Sequence, residues 1–259
     1  MSKAVPLKLL EPCQGGRLIE RRAWACLERC RKKLRLDAVP LPVPVEDWIE
    51  NPLGIRLGFE DLSHLGPDVL GGAFVEEREI LIDQRVTAHE GRCRFTCAHE
   101  LGHLLLHSRV SKVFRETQLD ATFSFDLYER QADRFAAAFL MPLVLLEREI
   151  VAVLKAHGLK TARCMYELMQ QTAESEWLWR YRVLPAITKR FEVSLSAAIF
   201  RCADVQPWIT GAKPLLPRLL LTRLRQPARA NDPVADVQIV DGVPRRQPQL
   251  DLFSSQPRD

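Results

Sequence analysis

The chain has 259 residues, 47% of them hydrophobic, and a formal net charge of +4. That length suits one large domain or a domain with appendages, and so mild a charge permits contact with nucleic acid without arguing for it. No apolar stretch approaches a membrane span, Met1 to Pro6 opens no signal-peptide core, and seven cysteines without a C-x-x-C pair fit a reducing cytoplasm better than secretion.

Residues 18–36 read as an amphipathic helix, with Ala23, Ala25, Cys26 and Leu27 set among arginines and lysines. Pro40, Pro42 and Pro44 make an extended connector, and residues 45–49 open a second, short helix. Ile55, Leu57 and Phe59 alternate as in a strand. Gly71-Gly72 precedes a short strand at 73–75, Glu76-Glu77 makes a turn, and 78–82 follows as another strand. The expectation is a small, mostly antiparallel sheet, with 78–82 as the edge on which a peptide adds as a strand. A helix from about 91 to 107 follows, then an irregular stretch over 108–125. Asp126 suits the N-cap of a helix over 127–140, which Met141-Pro142 ends, and a further helix runs from 142 toward 156. Residues 160–183 are helical, and 185–204 hold two short helical patterns separated by Val193-Ser194. After Gln206 prolines and arginines crowd together, which predicts a largely disordered tail with room for one docking helix at 215–224. The expected domains are thus 1–157, 158–205 and 206–259.

The most informative segment is His99-Glu100-Leu101-Gly102-His103. Histidines at i and i+4 share a helix face, where two neutral imidazoles can hold one zinc ion and the glutamate between them can serve as general base. Catalytic zinc takes three protein ligands and a water. His107 continues the spacing, but two further helical turns put it about 12 Å from His99 along the axis, against a zinc–nitrogen bond of about 2 Å. It is a supporting or core residue on that ground. Glu129 and Asp133 repeat the i,i+4 pattern on the next helix, above an apolar stripe of Ala132, Phe135, Ala136 and Phe139. We expect Glu129 as the third ligand and Asp133 as acceptor of a ligand histidine's free N–H. Taken without the upstream motif, Glu129, Arg130, Asp133 and Arg134 would read as a solvated charged face. Gly102 admits close approach of another backbone. His64, His89, Tyr128 and Tyr166 all qualify as donors to a developing oxyanion, and the sequence does not choose among them. Cys26/Cys30 and Cys93/Cys97 are also spaced i,i+4, and we read them as helix-buried thiols rather than metal ligands.

These residues resemble the ImmA/IrrE family of metallopeptidases. The resemblance is carried by Arg94-Phe95-Thr96 leading into His99–His103 and His107. It continues through Glu129-x-x-Ala132-Asp133-x-Phe135-Ala136 with Met141-Pro142, the Pro42-Val43-Pro44-Val45-Glu46 entry, and Phe191-Glu192-Val193-Ser194 within 184–200. It covers about residues 18–205. It implies an α+β, gluzincin-like zinc-peptidase core with a helix–turn–helix-like segment behind it. It also implies a cytoplasmic zinc endopeptidase that cleaves a helix–turn–helix repressor and so derepresses DNA-damage or mobile-element genes. His99, His103 and Glu129 are then the Zn2+ ligands and Glu100 the catalytic base. Residues 160–183 look like an insertion, and the tail does not resemble the sensor-like domain of some members. Lys189, Arg190 and Arg201 make a thin basic set, and Ala197, Ala198 and Ile199 look like core, so 185–204 reads as a packing or partner-binding unit rather than a DNA reader.

The tail holds a second motif, Gln249-Leu250-Asp251-Leu252-Phe253, which resembles the Q-L-x-L-F peptide that docks on the bacterial sliding clamp. Two rival readings accompany the peptidase. One is a non-catalytic zinc-stabilised module that sequesters a repressor or bridges it to the clamp. The other is a DNA-binding regulator with the core as scaffold.

Overall fold

A computed structural model describes residues 16–109, 113–115, 123–205, 214–228 and 232–247. The clamp-like motif at 249–253 lies outside them. The chain divides into two compact units, 1–142 and 143–259. The architecture is mixed α+β, mostly helical with small sheets.

In the first unit, helix α1 (Gly16–Lys33) buries Ile19, Ala23, Cys26, Leu27 and Cys30, the i, i+4, i+7 face of a surface helix. Short helix α2 (Val45–Glu50) is followed by strands β1 (Arg56–Glu60), β2 (Gly71–Phe74) and β3 (Glu79–Asp83). Helix α3 (Glu90–Leu106), strand β4 (Val113–Arg115) and helix α4 (Phe123–Leu140) complete the unit. The sheet order is β1-β3-β2-β4. β2 is antiparallel to both β3 and β4, whereas β1 runs parallel to β3.

Two expectations need correction here. The strand at 78–82 is not an edge: β3 is paired on both sides, and the edges are β1 and β4. Ile80, Ile82 and Asp83 are buried, as suits an inner strand, and the stretch read as irregular supplies the strand that closes the other side of β2. Asp126 does not cap α4, which begins three residues earlier at Phe123.

Helix α3 is the centre of the unit. Every residue from Thr96 to Leu104 is buried, polar and apolar alike. Arg94 is also buried; its Nη2 donates to Val43 O at 2.7 Å and its Nη1 lies 3.7 Å from Glu46. The proline-rich entry is thereby tied to the motif helix. At Gly102 an added Cβ would lie 3.2 Å from Ala132 Cα and 3.2 Å from Phe135 Cδ1, so α3 and α4 meet almost backbone to backbone.

The second unit contains helices α5 (Leu143–Ala156), α6 (Thr161–Leu168), α7 (Ala173–Leu178), α8 (Leu184–Phe191) and α9 (Leu195–Asp204). A π-helical turn over Trp179–Val183 joins α7 to α8. α8 and α9 are the two helical patterns expected around Val193-Ser194, where the Ser194 hydroxyl caps α9 by accepting from Ala197 N at 3.1 Å.

Within the tail, the described residues 214–228 and 232–247 include regular elements. Helix α10 (Leu221–Arg225) forms where a docking helix was expected, with Leu215, Leu216, Leu220 and Leu224 buried. A hairpin of β5 (Val237–Val240) and β6 (Val243–Arg246) turns on Asp241-Gly242, both at positive φ. Buried Glu176 on α7 secures α10: Arg180 Nη2 reaches it at 2.8 Å and Arg223 Nη2 at 2.7 Å. α5 packs with α6 and α8.

Asp83 anchors the end of β3. Its Oδ2 accepts from Leu62 N at 2.9 Å, and its Oδ1 accepts from Arg85 N at 2.8 Å and Arg85 Nε at 2.6 Å. The Arg85 guanidinium, aided by the two backbone N–H groups and opposed by burial, pulls the carboxyl down to about 2. A depressed folded-state pKa gives stability that is full above the ordinary carboxylate value of about 4 and lost as pH falls through about 2. Asp83→Asn should lower the unfolding free energy by about 1–3 kcal/mol at pH 7 in urea melts, with the gap closing in acid. Equal midpoints at pH 7 would refute this anchoring role.

Candidate metal centre

The motif helix and α4 present their polar residues to each other. His99 Nε2 and His103 Nε2 lie 3.0 Å apart. The Glu129 carboxylate closes the triangle, with Oε2 at 3.1 Å from His99 Nε2 and Oε1 at 3.2 Å from His103 Nε2. Ligands about 2.0–2.1 Å from a tetrahedral zinc are separated by about 3.3–3.4 Å, so this N2O triangle is close to the required size. His99 and His103 are 4% and 1% exposed, and Glu129 shows only a fifth of its side chain. Three heteroatoms with lone pairs converging in a buried place are a donor set for a cation, and the residues fit a metal of the zinc class.

The orientation of the first histidine is explicit. His99 Nδ1 lies 2.9 Å from Asp133 Oδ1, so its N–H points at the carboxylate and its Nε2 lone pair points into the triangle. The charges follow. Burial opposes ionisation of His99, but hydrogen bonds to Asp133 and Glu129 overcome it and hold its pKa well above the ordinary value. Burial, reinforced by the neighbouring His99 charge and countered by Glu129, lowers that of His103. Burial opposes ionisation of Glu129, but the adjacent His103 and His99 outweigh it, and its pKa falls to about 2. The centre therefore keeps an ionised carboxylate beside two imidazoles.

Glu100 is wholly buried on the same helix. It faces the first residue of β2: a Cβ built on Gly71 would stand 2.7 Å from Glu100 Oε1, 3.0 Å from its Cγ and 3.0 Å from Thr96 Cγ2. The sheet thus holds the glutamate by bare backbone contact. His107 is buried at the end of α3, its Nδ1 3.2 Å from His103 Nδ1 and its Nε2 3.0 Å from Gln131 Oε1. Burial pushes its pKa down to about 4.

His99, His103, Glu129 and Asp133 come together as the sequence predicted, and His107 stands beside His103 rather than in the triangle. Of the four oxyanion candidates, Tyr128 packs its ring 4.9 Å from that of His107. His64 and His89 are exposed in the same unit, and Tyr166 is exposed on α6 in the second unit. Sequence reasoning missed Gly71 and Gln131. The Gly71-Gly72 doublet was a usable signal, because adjacent glycines at a strand mark close backbone approach; Gln131 carried none. A second group, Glu46, Cys93 and Cys97, also has its candidate ligand atoms within 4.8 Å of one another, with Arg94 already paired to the carboxylate.

A two-histidine, one-glutamate donor set on two paired helices, with a glutamate between the histidines, is the arrangement of a metallopeptidase-type domain. Residues 53–203 match the peptidase M78, IrrE N-terminal-like domain, and the chain belongs to that family. Among curated proteins it is similar to an "uncharacterized immunity region protein 2" of Bacillus phage phi105, at 32% identity over 79 residues, which are 30% of this chain and 49% of the relative. A solved Mycobacterium tuberculosis transcriptional regulator aligns with 74% of this chain and 49% of its own, at 14% identity and a TM-score of 0.45. The chain spans about half the length of each.

The contact between Gly71 and Glu100 is testable. Gly71→Ala should cost about 1–3 kcal/mol in denaturant unfolding, as overpacking does. It should cost measurably less in a Glu100→Ala background, with a coupling of about 0.5–3 kcal/mol. Additive costs would show that the two residues do not press on each other.

Proposed function

We propose that this protein is a zinc-dependent endopeptidase of the cytoplasm that cleaves a helix–turn–helix transcriptional repressor and so derepresses stress-response (including DNA-damage) or mobile-element genes. The observation that carries the reading is the triangle of His99, His103 and Glu129 at 3.0–3.2 Å with Glu100 on the same helix. Family membership supports the chemistry, and a relative named for a phage immunity region supports the regulatory setting.

His99, His103 and Glu129 would hold the ion, and Asp133 would steady His99. A zinc ion bound by them supplies Lewis acidity to the scissile carbonyl and lowers the pKa of a water. Glu100 takes the proton from the attacking water and passes it to the leaving nitrogen. The proposed division of the chain keeps this chemistry within 1–157, gives partner contact to 158–205 with its helix–turn–helix-like α8 and α9, and leaves 206–259 as the tail. Within that tail, Gln249, Leu250, Asp251, Leu252 and Phe253 form the proposed sliding-clamp peptide.

One observation favours a second reading, a non-catalytic zinc-stabilised module that sequesters a repressor or bridges it to the clamp. Glu100 is fully buried, whereas a general base must meet water. Glu100→Gln separates the two. The variant should keep one zinc per chain by elemental analysis and lose repressor cleavage by at least about 100-fold. Undiminished cleavage or undiminished derepression would sink the enzyme reading. For the tail, purified clamp should be retained by the full chain and lost with Leu252→Ala/Phe253→Ala; equal retention by that variant would remove the clamp from the proposal.

A further inference from the structure

We propose that His107 and Gln131 are positioning residues which fix the hydrogen on His103 Nδ1 and so hold its Nε2 lone pair toward the metal. The inference rests on reading the triangle as a metal centre, and not on any peptidase activity.

Donors and acceptors alternate along one line from Gln131 to His103. Gln131 Oε1 lies 3.0 Å from His107 Nε2, and a carbonyl oxygen can only accept, so that nitrogen carries the hydrogen. A neutral imidazole has one N–H, which leaves His107 Nδ1 as an acceptor. His107 Nδ1 lies 3.2 Å from His103 Nδ1, so His103 must donate there. With its hydrogen on Nδ1, His103 has a lone pair on Nε2, the atom 3.0 Å from His99 Nε2 and 3.2 Å from Glu129. Reversing the Gln131 amide reverses the line: His107 would donate to His103 Nδ1, the His103 hydrogen would move to Nε2, and that atom could not hold a cation.

The geometry leaves little freedom. His103 and His107 are 1% and 2% exposed, and the Tyr128 ring packs 4.9 Å from His107. The two ligand histidines are thus oriented by different means. His99 answers to the carboxylate of Asp133, and His103 answers to an amide two residues earlier on the same helix, through an intervening imidazole. Loss of such an orienting partner commonly costs about 10–100-fold in metal affinity.

The test is zinc affinity, measured on the full chain by competition with a chromophoric chelator, with thermal unfolding of the metal-free protein as a check on folding. His107→Phe keeps the ring and removes both nitrogens. Gln131→Met keeps length and removes the acceptor, on a residue that is only half-buried. Both should weaken zinc binding by about 10–100-fold. Gln131→Glu keeps an acceptor and should bind zinc at least as tightly as the parent, a rescue that a merely space-filling role does not predict. If His107→Phe fails to fold without metal, Gln131→Met and Gln131→Glu decide. Binding by Gln131→Met within twofold of the parent, or equal losses in Gln131→Met and Gln131→Glu, overturns the inference while leaving the metal centre standing. A parent chain that binds no zinc overturns the metal centre and this inference together.

Discussion

A helix buried on all sides must find a partner for every polar atom it carries, because an unsatisfied donor or acceptor in a low-dielectric interior costs about 1–3 kcal/mol. α3 buries Thr96, His99, Glu100 and His103, and His107 just beyond its end. That requirement organises the first unit. α4 answers it with three side chains within five residues: Asp133 at His99 Nδ1, Glu129 at the Nε2 atoms of His99 and His103, and Gln131 at His107 Nε2. β2 closes over Glu100 with the bare backbone of Gly71. The core is built around a line of polar groups, and the apolar residues of α1, β3 and α4 enclose that line.

The centre was legible in the sequence because its geometry is helical and therefore periodic. His99 and His103, and then Glu129 and Asp133, announce themselves through i,i+4 spacing, and the rise per residue is enough to keep His107 out of the triangle. What the sequence did not show depends on contact between elements. Gly71 faces Glu100 across a sheet–helix junction, and Gln131 earns its place only through the position of His107. β3 was misjudged as an edge for the same reason: alternation marks a strand but not its neighbours. β4, three residues inside a stretch without clear periodicity, is too short to leave a pattern.

The tail shows composition misleading where local chemistry did not. Prolines and arginines made the region after Gln206 look non-globular, yet Asp241-Gly242 directly after Val237-Gln238-Ile239-Val240 is a strong hairpin signal. Leu215 to Leu224 did stand out, and Arg223 within it reaches the buried carboxylate of Glu176. A buried acid needs a cation, and in this unit part of the supply comes from the segment that composition alone would discard.

Gly102 has a further consequence. It touches Ala132 on α4, and Ala132 sits between Glu129 and Asp133 in the chain, so the separation of the two helices at the level of the triangle is set by a missing methyl group. That separation is the bite of the centre, the span between two nitrogens on one helix and a carboxylate on the other. A narrow, packed bite suits a small ion with short bonds. Calcium, which takes six to eight oxygens at about 2.3–2.6 Å, would have to push the helices apart against their own backbones. For the proposed metal centre, the size of ion accepted would be set by the glycine that brings the ligands together as much as by the ligands.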